Sequence, residues 1–301
     1  MKNILLLGNK GYIGSYLEYA LSERYNITGV DIGWFVEDSC PIDYKTLTKQ
    51  YLANYDSVIL LAGHSAVRQC EGDMSSSFKN NVSNFVDLLS KLEKQKLIYA
   101  SSSSIYGSVL SAGETADETH PEYVATNYYD LSKYVIDQYA KLSGKQYYGL
   151  RFGTVNGFSP RLRTDIMINA MVNSALSNGH VKVFEGGIHR PILGIRDLGR
   201  AMEAIINSQE QNAGVYNLAS LNSTSGEIGQ EVARIMECEL IEDTPLTANK
   251  SKPYDFQIDS SKFIETYNFN FQETVETITV SLKNNFDKCE KFSRHYEVEY
   301  K

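Results

Sequence analysis

The chain contains 301 residues, of which 42% are hydrophobic, and its formal net charge is -8. The hydrophobic fraction supports a substantial buried core and argues against disorder. The acidic balance argues against a general nucleic-acid binder, whose phosphate contacts need a basic face. No run reaches the roughly 18 apolar residues of a membrane helix. From the charge and the run lengths together, we expect neither nucleic acid nor a membrane as a partner. The four cysteines are scattered without a CxxC pair, which predicts a reducing, cytoplasmic compartment and no metal site.

In the first half of the chain, short apolar runs alternate with segments of helical periodicity. The predicted strands are residues 3–7, 27–30, 57–62, 97–100 and 148–152. The predicted helices are residues 11–24, 78–93 and 129–142, and only a reduced element is expected between the second and third strands. Strands that are apolar almost throughout are buried on both faces, as in parallel sheets. The pattern therefore predicts an α/β fold with a doubly wound parallel sheet of the Rossmann type.

The second half is less regular and predicts a smaller, C-terminal substrate-binding domain. Its predicted helices are residues 165–176, 197–207, 226–236 and 273–286, and its predicted strands are residues 181–184, 191–194 and 215–218. We expect a cofactor domain of residues 1–156, to which 191–218 returns, and a substrate domain of residues 157–190 and 219–301. Residues 288–301 are polar and are expected to form a tail.

A glycine-rich loop follows the first predicted strand and opens the first helix. A tight turn there needs Gly8, close approach of a pyrophosphate needs Gly11, and helix–strand packing needs Gly14. The free N–H groups and the dipole of the helix N-terminus favour phosphates. Asp31 ends the second strand, where a carboxylate accepts both ribose hydroxyls and repels a 2′-phosphate. This order of elements predicts an NAD site.

Further cofactor contacts are predicted around the same loop and after the third strand. Tyr12 and Ile13 lie within the loop, and Lys10 either adds a cation near the pyrophosphate or faces solvent. The third strand ends in LLAG at residues 60–63, whose small residues would let the cofactor lie across the strand ends, and contacts are expected from Leu61, Ala62 and Gly63. Asp43 either touches the adenine or caps a local turn.

A second constellation suits proton transfer coupled to hydride transfer. Tyr129 and Lys133 stand four residues apart on one face of a predicted helix, and Ser102 follows the fourth predicted strand. A nearby ammonium favours the tyrosine phenolate, which can take the proton of a sugar hydroxyl. The serine hydroxyl can hold the reacting oxygen or pass the proton. Tyr128 is a rival tyrosine, but it has Ser132 instead of lysine four residues on.

The chain as a whole resembles the extended short-chain dehydrogenases/reductases, and within them the nucleotide-sugar epimerases and dehydratases. The motifs that carry the resemblance are GNKGYIG, Asp31, LLAGHSAV, Asn81 in NNV, ASSSSIYG, YYDLSK, GLRFGTVNGFSPRLR, HRPILGIRDL and GVYNLAS. The resemblance implies a tightly held NAD that Asn81 also contacts, with Ser102, Tyr129 and Lys133 as the catalytic residues. Tyr129 and Lys133 are also expected to contact the cofactor, with Lys133 holding the nicotinamide ribose.

The same resemblance implies residues that contact the substrate. Arg190 looks like the family arginine that grips a nucleotide diphosphate, and Arg161 and Arg163 either help it or are surface charges. The full set of expected substrate contacts is Ser103, Thr154, Asn156, Arg161, Arg163 and Arg190. His64 and His189 flank this region and are expected to be wall or structural residues.

The chain also departs from the family patterns. Family 4,6-dehydratases carry Asp-Glu directly after the catalytic hydroxyl residue, whereas this chain has Ser103 and Ser104, which disfavours dehydration. Many 4-epimerases place an asparagine where Thr154 stands and a tyrosine where Asn156 stands. The first of these differences, at Thr154, puts the usual phosphate contact in doubt.

The sequence therefore favours an NAD-dependent nucleotide-sugar oxidoreductase that acts at sugar C4, and family frequency favours a 4-epimerase. A 4-dehydrogenase or 4-ketoreductase that releases or consumes the ketosugar would use the same residues. A non-catalytic NAD-sensing protein is the alternative from another class, although it would not need Ser102, Tyr129 and Lys133. Relatives pair two helices across a dimer axis, so a homodimer is expected unless helices 78–93 and 129–142 pack only on their own sheet.

Overall fold

A computed structural model describes residues 1–34, 41–107, 110–120, 124–243 and 254–293. Its first half contains these elements: β1 (Asn3–Leu7), α1 (Tyr12–Leu21), β2 (Asn26–Val30), α2 (Lys49–Leu52), β3 (Ser57–Leu60), α3 (Val67–Gly72), α4 (Met74–Phe78), α5 (Asn84–Lys91), β4 (Lys96–Ser102), β5 (Glu114–Ala116), α6 (Tyr128–Leu142) and β6 (Tyr147–Phe152). Each predicted strand of this half is present within two residues of its expected bounds.

The second half alternates short strands with helices. Its elements are β7 (Thr154–Asn156), β8 (Arg161–Arg163), α7 (Met167–Asn178), β9 (His180–Phe184), β10 (His189–Gly194), α8 (Ile195–Asn207), β11 (Gly214–Leu218), β12 (Leu221–Thr224), α9 (Ser225–Met236), β13 (Glu239–Asp243), β14 (Phe256–Ile258), α10 (Ser261–Tyr267), α11 (Val275–Asn285) and β15 (Glu290–Phe292). No helix among the described residues is long and apolar enough to cross a membrane.

The central sheet has six parallel strands in the order β11-β6-β4-β3-β1-β2. Strand β1 is therefore flanked by β2 on one side and by β3 on the other, and the direction of winding reverses beside it. This arrangement confirms the predicted doubly wound α/β fold. In such sheets ligands bind at the carboxyl ends of the strands at the point of reversal.

Alternation along β1 shows why its apolar sequence forms a central strand. Leu5 and Leu7 pack with Leu88 of α5 on one face of the sheet. Ile4 and Leu6 face a second cluster on the other side, which continues into the second half of the chain. Because side chains alternate across a strand, an uninterrupted apolar run fits only a strand that is covered on both faces.

Two predicted elements differ in the structure. The helix expected at residues 78–93 is built from α4, a π-helical turn at Lys79–Ser83 and α5, and Phe78 is an exposed residue instead of a core residue. The Asp73 side chain accepts a hydrogen bond from Ser76 N and starts α4 earlier than the apolar pattern suggested. The reduced element between β2 and β3 is the short helix α2.

Residues 191–218 return to the central sheet only in part. Strand β11 joins it beside β6, whereas β10 pairs with β7 and β12 in a separate three-stranded sheet. The expected tail is corrected as well, because β15 pairs with β8 and brings residues 290–292 onto the body of the protein. The rest of that segment, 294–301, lies outside the described residues. The division into two domains stays a prediction.

Candidate active site

Two adjoining cavities open at the carboxyl ends of the central strands. The first has a volume of about 310 Å³ and the second about 260 Å³, and both are lined by Gly8, Gly11, Leu61 and Gly63. The predicted site residues that line the first cavity are Gly8, Gly11, Tyr12, Ile13, Gly14, Leu61, Gly63, Ser102, Ser103, Tyr129, Lys133, Thr154, Arg163 and Arg190. Asp31 and Ala62 line the second cavity. The glycine loop thus forms the ridge between them, where the middle of an extended dinucleotide would cross.

The three glycines of the loop have different surroundings. Gly8 has a φ of +92°, and a Cβ there would lie 2.6 Å from Ala62 N. At Gly14 a Cβ would lie 2.0 Å from the Gly8 carbonyl oxygen, so α1 can approach the loop only through a glycine. A Cβ at Gly11 would meet nothing closer than the Gly8 carbonyl oxygen, at 3.5 Å. Gly11 is therefore the position whose outer side is open for a ligand.

Asp31 faces the second cavity with its carboxylate held by backbone groups. Its two oxygens accept hydrogen bonds from Lys10 N at 3.0 Å and from Gly33 N at 2.8 Å. Lys10 lines neither cavity and contributes its backbone N–H to this contact. Asp43 lines the second cavity and also accepts a hydrogen bond from Lys45 N. A contact with the adenine and the capping of a local turn, the two roles considered for it, are therefore compatible.

Tyr129 and Lys133 lie on α6, whose N-terminus is capped by the Asn127 side chain. The Lys133 Nζ donates to the Ala100 carbonyl oxygen at 2.6 Å and lies 5.7 Å from the centre of the Tyr129 ring. Burial lowers the pKa of Lys133 to about 8. The rival Tyr128 is 47% exposed, whereas Tyr129 faces the cavity together with Ser102. The three predicted catalytic residues therefore line the same cavity.

Asn81 has a structural task, and the expected cofactor contact stays a prediction. Its carboxamide accepts a hydrogen bond from His64 N at 2.8 Å and donates to the His64 carbonyl oxygen at 3.0 Å and to Ser132 Oγ at 3.3 Å. His64 is buried and shares a 2.6 Å hydrogen bond with Ser77. Asn81 therefore ties the loop after β3 to helix α6.

The expected substrate contacts divide into two groups. Ser103, Thr154, Arg163 and Arg190 line the cleft. Asn156 and Arg161 line neither cavity, because their side chains are used within the fold. Asn156 accepts a hydrogen bond from Ile168 N at the start of α7, and Arg161 forms an ion pair with Glu290 of β15.

The two arginines in the cleft are held differently. Arg163 forms two hydrogen bonds to the Asp165 carboxylate, at 3.0 Å and 2.7 Å. Arg190 forms no ion pair within 4.0 Å in the part of the chain that the structure describes. Burial lowers the pKa of Arg190, while Asp255 and Glu185 oppose that effect. Arg190 is therefore the better placed cation for an anionic ligand.

Sequence reasoning missed two aromatic residues that close the cleft from the second half of the chain. Tyr254 and Phe256 line the first cavity, and the Phe256 strand, β14, pairs with β5. They reach the cleft only because β14 pairs with a strand about 140 residues earlier in the chain. The local sequence pattern around them does not indicate this pairing. The sequence likewise did not identify Trp34, which lines the second cavity.

The comparisons with known proteins concern the family and the fold of the chain. The family model described as "NAD dependent epimerase/dehydratase family" matches residues 4–219. UDP-glucuronate 4-epimerase 4 of Arabidopsis thaliana is 24% identical over 280 residues, a match that covers 79% of this chain and 63% of that protein. The match thus spans less than two thirds of that relative's length.

Two solved structures share the fold. The UDP-glucuronic acid 4-epimerase of Bacillus cereus, in complex with UDP-glucuronic acid and NAD, has a TM-score of 0.81 at 21% identity, over 95% of this chain and 99% of that one. The UDP-glucose 4-epimerase of Thermotoga maritima, with UDP-glucose, has a TM-score of 0.80 at 20% identity, over 95% and 99% of the two chains.

Proposed function

The chain belongs to the NAD-dependent epimerase/dehydratase family, and on this premise we propose that it is a nucleotide-sugar 4-epimerase that acts through a ketosugar intermediate. The observation that carries the proposal is one cavity lined by the glycine loop, by Ser102, Tyr129 and Lys133, and by Arg190. A dinucleotide, a reacting hydroxyl and a diphosphate each need one of these three groups.

The cofactor end of the cleft fits NAD. The loop at Gly8 and Gly11 and the N-terminus of α1 would hold the pyrophosphate, since the first N–H groups of a helix have no intrahelical acceptor and the helix dipole favours anions. Asp31 would accept the hydroxyls of the adenosine ribose, and its charge would repel the 2′-phosphate of NADP. When bound, NAD supplies the acceptor for the hydrogen and electron pair that leave sugar C4.

The residues of the chain move the proton. Tyr129 would take the proton of the 4-hydroxyl, because the neighbouring Lys133 ammonium stabilises a phenolate. Ser102 lines the same cavity and would hold the reacting oxygen. Return of the hydrogen to the opposite face of the ketosugar, with the proton coming back from Tyr129, would complete the inversion.

The nucleotide-sugar would extend from this point into a third cavity. That cavity is lined by α7 and β9 residues and shares Thr154, Ile166 and Arg190 with the first one. Arg190 stands at the junction, where the diphosphate between sugar and nucleoside would lie. The complexes of the Bacillus cereus and Thermotoga maritima structures with UDP-sugars support this substrate class.

Ser103 and Ser104 favour epimerisation over dehydration, since neither hydroxyl replaces the acid and base that remove water. A 4-dehydrogenase or 4-ketoreductase remains the second candidate, because the same three catalytic residues would serve it. A non-catalytic NAD sensor is the most remote candidate, since it would need no reacting tyrosine.

The test is to incubate the purified protein, with NAD, with a panel of nucleotide-sugars. Product is followed by NMR and the reduced cofactor by its near-ultraviolet absorbance. An epimerase gives the C4-inverted sugar with only transient cofactor reduction. Stoichiometric reduction with release of a ketosugar would assign the dehydrogenase instead. No spectral or chemical change with any sugar would reject both enzymes and leave the sensor.

A cytoplasmic homodimer with two domains completes the proposal. Helices α4 and α6 pack together and leave large apolar side chains exposed, namely Met74, Phe78, Tyr139 and Leu142. The cofactor domain would comprise residues 1–156 and 191–218, and the substrate domain residues 157–190 and 219–301. Sedimentation equilibrium tests the dimer: a single species of the monomer mass at micromolar concentration would overturn it.

A further inference from the structure

A carboxylate from late in the chain holds the first residue of strand β10, and the chemistry proposed above does not use it. Asp255 Oδ1 accepts hydrogen bonds from the His189 backbone N–H at 2.9 Å and from the His189 ring nitrogen Nδ1 at 2.9 Å. Gly113 N donates to the same oxygen at 3.2 Å. The Asp255 side chain is only 12% exposed, so water competes little for these hydrogen bonds. His189 is thus bound to Asp255 through both its main chain and its ring.

The charge of Asp255 determines how the His189 ring is held. Burial raises the pKa of Asp255, but the hydrogen bonds from His189 outweigh burial and bring this pKa below its usual value. An ionised carboxylate can only accept, so the proton between the two side chains is carried by His189 Nδ1. The ring also lies against Gly113, where φ is +75° and an added Cβ would be 3.1 Å from ring atom Cε1. The His189 ring therefore has a defined orientation.

These hydrogen bonds stand where β10 has no strand partner on one side. Strand β12 pairs with β10 from His189 onward, whereas the pairing with β7 begins at Ile192. Strand β14 lies next to β10 but forms its backbone pairing with β5. Asp255 directly precedes β14, and its carboxylate makes the connection to β10. The start of β10 is therefore held from both sides, by β12 and by Asp255.

Arg190 directly follows His189 and lines both the first and the third cavity. Because successive side chains of a strand point to opposite faces, the ring held at His189 fixes the rotation of the strand about its own axis. The direction in which the Arg190 side chain leaves the main chain is fixed with it. Pro191 adds to this effect, since proline restricts the residue before it to extended conformations.

We propose that His189, anchored by Asp255, is a positioning residue that directs Arg190 toward the diphosphate of the nucleotide-sugar. The proposal rests on the proposed function and deepens it, because it explains how Arg190 is kept in place before the substrate binds. A side chain that is held in advance loses less conformational freedom on binding, which favours affinity. The local motifs did not reveal the pair, since Asp255 lies 66 residues after His189.

The test is a double-mutant cycle in the full-length protein. His189→Ala is made alone and in the Arg190→Gln background, and His189→Asn is the variant whose side-chain amide can still donate to Asp255. His180→Ala, on β9 and outside the three cavities, controls for the loss of one imidazole ring. For each variant kcat, KM and the melting temperature are measured, and calorimetric titration gives the Kd for NAD and for UDP, GDP, CDP and dTDP.

We expect His189→Ala to raise about 10-fold both KM for the nucleotide-sugar and Kd for the nucleoside diphosphate that binds most tightly. The value of kcat should stay within about 2-fold, because the diphosphate is remote from the reacting carbon. In the Arg190→Gln background His189→Ala should add less than about 2-fold, since the side chain that it directs is gone. His189→Asn should restore most of the affinity, and His180→Ala should leave it unchanged. The Kd for NAD should not change in any of these variants.

A loss of affinity that multiplies fully with that of Arg190→Gln would overturn the proposal, since it would show an effect independent of Arg190. Affinity as weak in His189→Asn as in His189→Ala would also overturn it, because the hydrogen bond to Asp255 would then not matter. If His189→Ala does not fold, His189→Phe, which keeps an aromatic ring without the donor, takes its place in the cycle.

The titrations also separate this proposal from the proposed function. If the wild-type chain binds a nucleoside diphosphate but turns over no nucleotide-sugar, the proposed function fails, while the Kd values still decide the role of His189. If the wild-type chain binds none of the four nucleotides, the proposed substrate class and this proposal are both overturned.

Discussion

At the cofactor end of the cleft, the contacts join residues that are close in the chain or belong to adjacent strands. Gly11 N donates to the Gly8 carbonyl oxygen, and Lys10 N donates to Asp31 at the end of β2. At the other end, where the sugar would react, Asp130 accepts hydrogen bonds from the Ser104 and Tyr254 side chains, which lie 26 and 124 residues away in the chain. The cofactor end is therefore built from a local sequence motif, whereas the sugar end forms only when distant segments of the chain come together in the fold. Cofactor binding and chemistry should therefore be separable by mutation.

The largest effect is expected from Tyr129→Phe, which removes the proposed acceptor of the sugar proton. We expect kcat to fall by about 1000-fold, within the usual range for loss of a general base. NAD affinity should change less than about 3-fold, because the glycine loop and Asp31 are untouched. The matched control is Tyr128→Phe, since Tyr128 neighbours Tyr129 but is exposed. Equal losses in both variants would contradict the assignment of Tyr129.

A pair of glycine variants separates packing from ligand binding at the cofactor end. In Gly14→Ala the new Cβ meets the loop backbone at 2.0 Å, so we expect the free energy of unfolding to fall by about 3 kcal/mol. In Gly11→Ala the new Cβ fits the free protein, and stability should fall by less than about 1 kcal/mol. That methyl group would nevertheless occupy the side open to phosphate.

We therefore expect Gly11→Ala to weaken NAD binding by roughly 30-fold with a nearly unchanged melting temperature, since the methyl group blocks the approach of phosphate to the backbone. Thermal unfolding without ligand and calorimetric titration with NAD measure the two quantities. Normal NAD affinity in Gly11→Ala would show that the pyrophosphate does not cross at this position.

The same contrast explains how much the sequence could predict. The run at residues 4–7 and the glycines at 8, 11 and 14 lie in one continuous segment, so their pattern predicts both the strand and the loop. The pairing of β15 with β8 depends on residues about 129 positions apart, and nothing in the polar segment around Glu290 indicates it. The buried task of Asn156 was equally invisible, because its partner is a backbone N–H of α7.

A comparison of the two cleft arginines tests where the diphosphate lies. Arg190→Gln removes a cation that has no carboxylate within ion-pair distance in the described part of the chain, so we expect KM for the nucleotide-sugar to rise about 30-fold. Arg163→Gln instead leaves Asp165 without its bidentate partner, and we expect mainly a loss of about 2 kcal/mol in unfolding free energy. A larger KM effect in Arg163→Gln than in Arg190→Gln would reverse the assignment of the diphosphate contact.

The smallest expected effect is a change in the pH dependence of kcat/KM, and it depends on the charge of Lys133. Burial lowers the pKa of Lys133 to about 8, so its charge is present below that pH and is lost as the pH rises through it. Loss of the ammonium removes the cation that stabilises the Tyr129 phenolate, so kcat/KM should fall on the alkaline side. In Lys133→Arg the guanidinium stays protonated, and the alkaline limb should move upward by more than about 1 pH unit, whatever the absolute rate.

The measurement is kcat/KM from acid to alkaline pH for both proteins, with Tyr128→Phe as the control. An alkaline limb at the same pH in Lys133→Arg would show that another group causes it, and that Lys133 only holds α6 against the Ala100 carbonyl.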